Sequence, residues 1–112
     1  MWVLKKSARF KNQLIYFAKG YNEDAGSEIA ERFVDAVEDA IEFIQKQPLG
    51  CRIYHEAHNY PQLRHYEFRK WSVKGFPHSL FFRFCDDETI LLEAIYAHRM
   101  NTIKHFPFDT RS

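Results

Sequence analysis

"GFPHSLFFRFCDDETILLEAIYAHRM", residues 75–100, is the most apolar part of this chain, and it ends on the basic pair His98–Arg99. Successive side chains of an extended strand point to opposite faces. Over Ser79–Cys85 that alternation puts Leu80, Phe82 and Phe84 on one face and Phe81 and Arg83 on the other. Thr89–Ala97 is a second apolar segment. Between the two lies Cys85-Asp86-Asp87-Glu88, and aspartates favour turns because their carboxylates bond nearby backbone amides. Two such segments joined by a short polar turn predict an antiparallel hairpin. Lys74-Gly75-Phe76 with Pro77 marks the turn that precedes it.

Working back from the hairpin, Leu63–Val73 reads as a third strand. "IYHEAHNYPQLRH", residues 53–65, reads as an irregular connection around Pro61. Two helices precede it. In Ser7–Tyr21, Phe10, Leu14, Phe17, Ala18 and Tyr21 fall on one helical face. Gly20 and "YNEDAGS" break that pattern. Ile29, Phe33, Val34, Val37, Ala40, Ile41 and Ile44 then repeat at threes and fours. Glu23, Asp24 and Glu28 are read as lying near the positive end of this second helix, and Lys46 near its negative end. Pro48 and Gly50 end it. Neither helix can bury its apolar stripe alone, so both need a common partner surface. The predicted fold is α+β: a two-helix hairpin on a curled three- to four-stranded antiparallel sheet, with Trp2–Lys5 as a candidate edge strand.

With 112 residues, 46% hydrophobic and 17% aromatic, the chain is expected to form one domain over 1–112 with one core. A formal net charge of +1 excludes a global basic field. Any nucleic-acid role would need a local patch. Cys51 and Cys85 stand apart, outside any CxxC, and read as reduced thiols. The start, "MWVLKKSARF", lacks the long apolar run of a signal peptide or membrane span. A cytoplasmic protein is the expectation, with no membrane partner.

"HEAH", residues 55–58, invites a metal reading, but its spacing of three is not that of HExxH, and the segment lacks helical period. It reads as a polar loop, and neither a metal nor a cofactor is implied. His98 has the side chain for general-base work near neutrality. Set against this is a strand-end histidine that bonds locally. Asp86, Asp87 and Glu88 read as a solvated turn; Phe81, Phe82 and Phe84 have rings able to stack on bases, but alternation makes core packing the default reading for at least one of their faces. Charge is segregated along the chain. The second helix carries Glu31, Asp35, Glu38, Asp39 and Glu42, while Arg64, Arg69, Lys70, Lys74 and Arg83 lie on the predicted sheet, with Arg99 and Lys104 after it. A local positive face and ordinary solvated charge are both consistent with this pattern.

The order of these elements resembles the RelE/ParE superfamily of bacterial toxins from toxin–antitoxin pairs. "ARFKNQLIYFAKGY" is similar to the family's first helix. "AERFVDAVEDAIEFIQKQPLGCRIY" resembles the second, with its closing Pro-x-Gly. "KGFPHSLFFRFCDDETILLEAIYAHRMN" resembles the hairpin, opened by an aromatic-Pro pair and closed by His-Arg.

The resemblance implies a toxin neutralised by a cognate antitoxin that wraps around it, docking on apolar residues of the first helix or on a sheet edge. RelE-like members cut messenger RNA in the ribosome with several basic residues and a tail tyrosine. By that resemblance Ser79 stands about where an arginine would be, and Phe106 about where the tyrosine would be. A phenyl ring cannot move a proton. These departures favour the ParE-like branch, whose members are similar to inhibitors of DNA gyrase that act by binding. Arg69, Arg83 and Arg99 are then the expected target contacts. A ribosome-dependent mRNA endoribonuclease with Arg83, His98 and Arg99 as catalytic candidates stays open, as does an inactive binding module.

Overall fold

The computed structural model describes residues 2–59 and 66–98. In chain order these residues form β1 (Val3–Lys6), α1 (Ala8–Ala25), α2 (Ser27–Lys46), β2 (Arg52–Ile53), β3 (Phe68–Ser72), β4 (His78–Phe84) and β5 (Thr89–Ala97), with 3-10 turns at Pro48–Gly50 and His55–Asn59. The sheet has five strands in the order β1-β5-β4-β3-β2. The expectation of three to four antiparallel strands is corrected in two ways. The candidate edge strand forms and pairs parallel with β5. Inside the segment expected to be irregular, β2 pairs with β3 over only two residues, too few for any alternation to be read.

The helix pair is tighter than its sequence pattern suggests. Ser7 caps α1, its hydroxyl accepting from the Phe10 amide at 3.0 Å. The helix continues through Gly20 to Ala25, and Gly26 alone turns the chain, at φ 96° and ψ 166°. That backbone region is open essentially to glycine alone. Glu23 and Asp24 therefore sit in the last turn of α1, not ahead of α2. Glu28 and Lys46 do occupy the first and last turns of α2, as the helix dipole favours.

Phe33, Val37, Ala40 and Ile44 are the buried stripe of α2. They meet Leu80, Phe82, Ile90, Leu92 and Ile95 of the sheet, together with Phe10 of α1. Burying a side chain of this size contributes roughly 1.5–3 kcal/mol. Phe43 stacks on Trp71 of β3 with ring centroids 4.1 Å apart, tying α2 to β3 on the helix-facing side of the sheet. The opposite sheet face carries a second, aromatic cluster of Tyr54, Phe68, Phe81 and Tyr96, with Ala57 and Ala94.

One irregularity decides which side chains of β5 reach which face. Phe81 pairs with Ala94 but Phe82 pairs with Leu92, so Glu93 has no residue opposite it. This β-bulge resets the alternation. Ile90, Leu92 and Ile95 face the helices, whereas Ala94 and Tyr96 join the aromatic face. Backbone groups here find partners in α1 and its cap: the Ser7 hydroxyl donates to the Glu93 carbonyl at 2.7 Å, and the Gln13 side-chain oxygen accepts from the Ile95 amide at 2.8 Å.

Candidate functional site

On β4, Ser79, Phe81 and Arg83 point away from the helices, as alternation requires. Arg83 stands at one end of this row. Its Nε donates to Glu93 Oε2 at 2.7 Å, and its guanidinium lies 4.7 Å from the Tyr66 ring centroid. The side chains of Arg83 and Glu93 are 19% and 5% exposed, so the pair is largely removed from water. The bulge delivers Glu93 to this place, a role not anticipated from sequence. A lone carboxylate inside "ILLEAIYA", two positions from the residue paired with Arg83, was the available signal, because glutamate is almost never fully buried without a partner.

Ser79 and His98 mark the other end. Ser79 Oγ lies 2.9 Å from His98 Nε2, and the His98 amide donates to the Pro77 carbonyl at 2.8 Å. The hydroxyl belongs to a residue only 4% exposed, while the histidine is exposed. Within the described residues no carboxylate forms an ion pair with the imidazole. The arrangement can exchange a proton between hydroxyl and imidazole, but nothing among those residues orients the ring from behind, as a triad requires.

Arg69 lies on the other face of the sheet from Arg83, because Phe68, its neighbour, is the residue paired with Arg83. Its donors are used internally: Nε and Nη2 reach Glu67 Oε2 at 3.0 and 2.9 Å, and Nη1 reaches the carbonyls of Leu49 and Cys51 at 3.2 and 2.8 Å. It pins the turn after α2. The structure thus sets Arg69 apart from Arg83 and His98. Arg99 lies outside the described residues, as do Arg64, Lys104 and Phe106.

His78, beside Ser79 but on the helix side, was also missed. It is 3% exposed, and the rings of Phe17, Phe33 and Tyr21 lie 4.6, 5.1 and 5.9 Å from its own. Among the described residues its Nδ1 has no hydrogen-bond partner. Burial, with His98 adding repulsion, pushes its pKa down to about 4. In the hairpin turn, Asp86 Oδ1 accepts the amides of Glu88 and Thr89, both at 2.8 Å, which lowers its pKa. "HEAH" falls in the 3-10 turn at His55–Asn59. Among the described residues no three potential ligands gather to hold a metal ion, and no helix is long and apolar enough to cross a membrane.

Two helices on a mixed five-stranded sheet whose last hairpin ends in this polar site define a small α+β class. Residues 4–102 match the family described as "ParE toxin of type II toxin-antitoxin system, parDE". The chain belongs to that family: it is a ParE-type toxin of a type II toxin–antitoxin system. Among solved structures, a chain of the "Chromosomal ParDE TA system from P. aeruginosa" superposes with a TM-score of 0.69 at 20% identity, covering 87% of this chain and 96% of that one. At that identity the likeness concerns the fold. No curated protein matches.

Proposed function

We propose that this toxin acts by binding, with DNA gyrase as its target in the cytoplasm, and that a cognate antitoxin neutralises it. The observation that carries the binding mode is the state of Ser79: the hydroxyl of a residue only 4% exposed, bonded to His98, is poorly placed to exchange protons with an outside substrate. Family membership supports the toxin role. The antitoxin part draws on apolar side chains left in solvent: Ile15 at 65% and Tyr16 at 74% exposure on α1, and Val3 at 50% on the outer strand β1. An amphipathic segment can dock on such a helix face or add to such an edge. Target contact is assigned to Arg83 and Arg99, with Arg69 supporting them by holding the turn after α2.

The test is direct. Purified gyrase should lose supercoiling activity as the toxin is added and regain it when the neighbouring gene's antitoxin follows. Cells expressing the toxin alone should induce their DNA-damage response. If supercoiling is untouched while ribosome-bound messages are cut, the ribonuclease reading replaces this one.

A further inference from the structure

Strands β2 and β3 set two positive charges against each other: Arg52 and Lys70 are direct cross-strand partners. Such partners have Cβ atoms about 4.5–5.5 Å apart, and like charges there work against the sheet. Among the described residues neither side chain has a carboxylate partner. Lys70 instead lies over the Tyr54 ring, 5.7 Å from its centroid. Arg52 and Lys70 line a cleft of about 730 Å3 at the end of β3, which also takes in Ser72, Lys74, Ser79 and His98. Ser72 and Ser79 face each other across β3 and β4. Among the described residues one carboxylate, Asp39 of α2, lines the same cleft, so its cations there outnumber its anions.

We propose that this cleft binds a phosphate ester of nucleotide size. A carboxylate would bring one charge and two oxygens. A phosphate monoester brings roughly −1.5 to −2 charges and three strong acceptors, which suits the three cations Arg52, Lys70 and Lys74 and the Ser72 hydroxyl. The volume is that of a small-ligand site, commonly about 300–1,000 Å3. Arg52 supplies a planar fork for phosphate oxygens, and Lys70 and Lys74 supply mobile point charges. A bound phosphate also relieves the repulsion between Arg52 and Lys70, so the ligand stabilises the pairing that builds its own site. The phosphate can come from a free nucleotide or from the end or backbone of a single strand. This assignment is independent of gyrase, and its test uses neither gyrase nor toxicity.

Trp71 lines the cleft, so intrinsic fluorescence of the full chain can report binding. The probes are inorganic phosphate, adenosine monophosphate, and single-stranded DNA and RNA oligomers of increasing length. The nucleotide should bind, and Lys70→Glu should weaken it by about tenfold or more, the loss expected for a charge-assisted contact. The same change gives Arg52 an opposite charge across the strands, so the melting temperature should hold or rise. Lys70→Arg should keep binding. Lys74 lies in an exposed turn, and Lys74→Glu should weaken binding without altering the melt, which settles the matter if Lys70→Glu unfolds. Equal affinity for the nucleotide and the oligomers identifies a free-nucleotide site. Affinity rising with oligomer length, and falling with salt by about 0.7 log units per decade for each phosphate held, identifies a strand. The proposal is overturned if no phosphate probe binds at millimolar concentration. It is equally overturned if both charge reversals leave binding unchanged, or if a polyglutamate peptide binds as tightly as the nucleotide.

Discussion

Removing one half of the Arg83–Glu93 pair should cost far more than removing both. The contact is short, at 2.7 Å, and the two side chains are 19% and 5% exposed. Glu93→Ala strands a guanidinium that does not give up its proton beneath the Tyr66 ring. Breaking a buried ion pair from one side costs about 3–5 kcal/mol. Arg83 keeps some contact with water and some attraction to the ring, which places the loss at the lower end, about 3 kcal/mol. With a urea dependence of about 1.5 kcal/mol per molar, the unfolding midpoint should fall by about 2 M. Arg83→Met leaves the more deeply buried carboxylate without its cation and should cost at least as much. The double variant Arg83→Met with Glu93→Leu fills the same space with apolar groups, and such replacements are often neutral or stabilising. Its midpoint should return to within about 1 kcal/mol of the unaltered protein. Because it folds without the guanidinium, it also isolates the proposed target contact: it should be stable yet weakened in toxicity. Urea unfolding of the four proteins closes a double-mutant cycle. Single losses below about 1 kcal/mol, as solvent-exposed pairs give, would refute the reasoning, as would a double variant no more stable than the singles.

His78 should make the fold acid-sensitive. Its folded pKa, about 4, lies below the ordinary 6.5, so the unfolded chain binds the proton first. Its contribution is therefore present above pH 6.5 and lost as pH falls through 4, by on the order of 3 kcal/mol. His78→Phe should flatten the difference between unfolding curves at pH 7 and pH 4; an unchanged difference would assign the acid sensitivity to other groups. Gly20 within α1 and Gly26 between the helices should respond in opposite directions. Gly20 has open space where a Cβ would go, and Gly20→Ala should stabilise by about 0.5–1 kcal/mol, read as a higher melting temperature. Gly26 has equal space but φ +96°, so Gly26→Ala should destabilise by about 1–3 kcal/mol from backbone strain alone.

The sequence is legible wherever its pattern is long. Four buried positions over three turns announce α2, and five alternating residues announce β4. The Thr89–Ala97 strand is read with its observed ends. Legibility fails where one or two residues decide. β2 has no pattern to offer at its length. Gly26 turns the chain by itself because its backbone can enter a region closed to other residues, while Gly20, in the same polar stretch, simply stays helical. Composition marks both glycines as breakers; only the backbone each one occupies tells them apart.

The site was legible in parts for the same reason. Ser79 and Arg83 sit at positions of β4 that alternation fixes, so their common face follows from the sequence, whereas His98 lies past the bulge in β5 and its face does not. Their partners do not, because each depends on register. Had β5 run on without its bulge, Ala94 and Tyr96 would share the face of Leu92, pointing a tyrosine into the helix core and leaving the aromatic face without it. The extra residue at Glu93 prevents this and also sets its carboxylate against Arg83. Ser7 and Gln13, from the cap and second turn of α1, bond the carbonyl of that residue and the amide of Ile95, two residues on. The position of the candidate site is therefore set by α1 as much as by the strands that carry its side chains. It follows that a partner docking on the exposed Ile15–Tyr16 face of α1 would bear on the very helix that holds the bulge. On that proposed docking, antitoxin binding and the geometry of Arg83 would be coupled through the Gln13–Ile95 bond, and Gln13→Ala should loosen that coupling before it unfolds the protein.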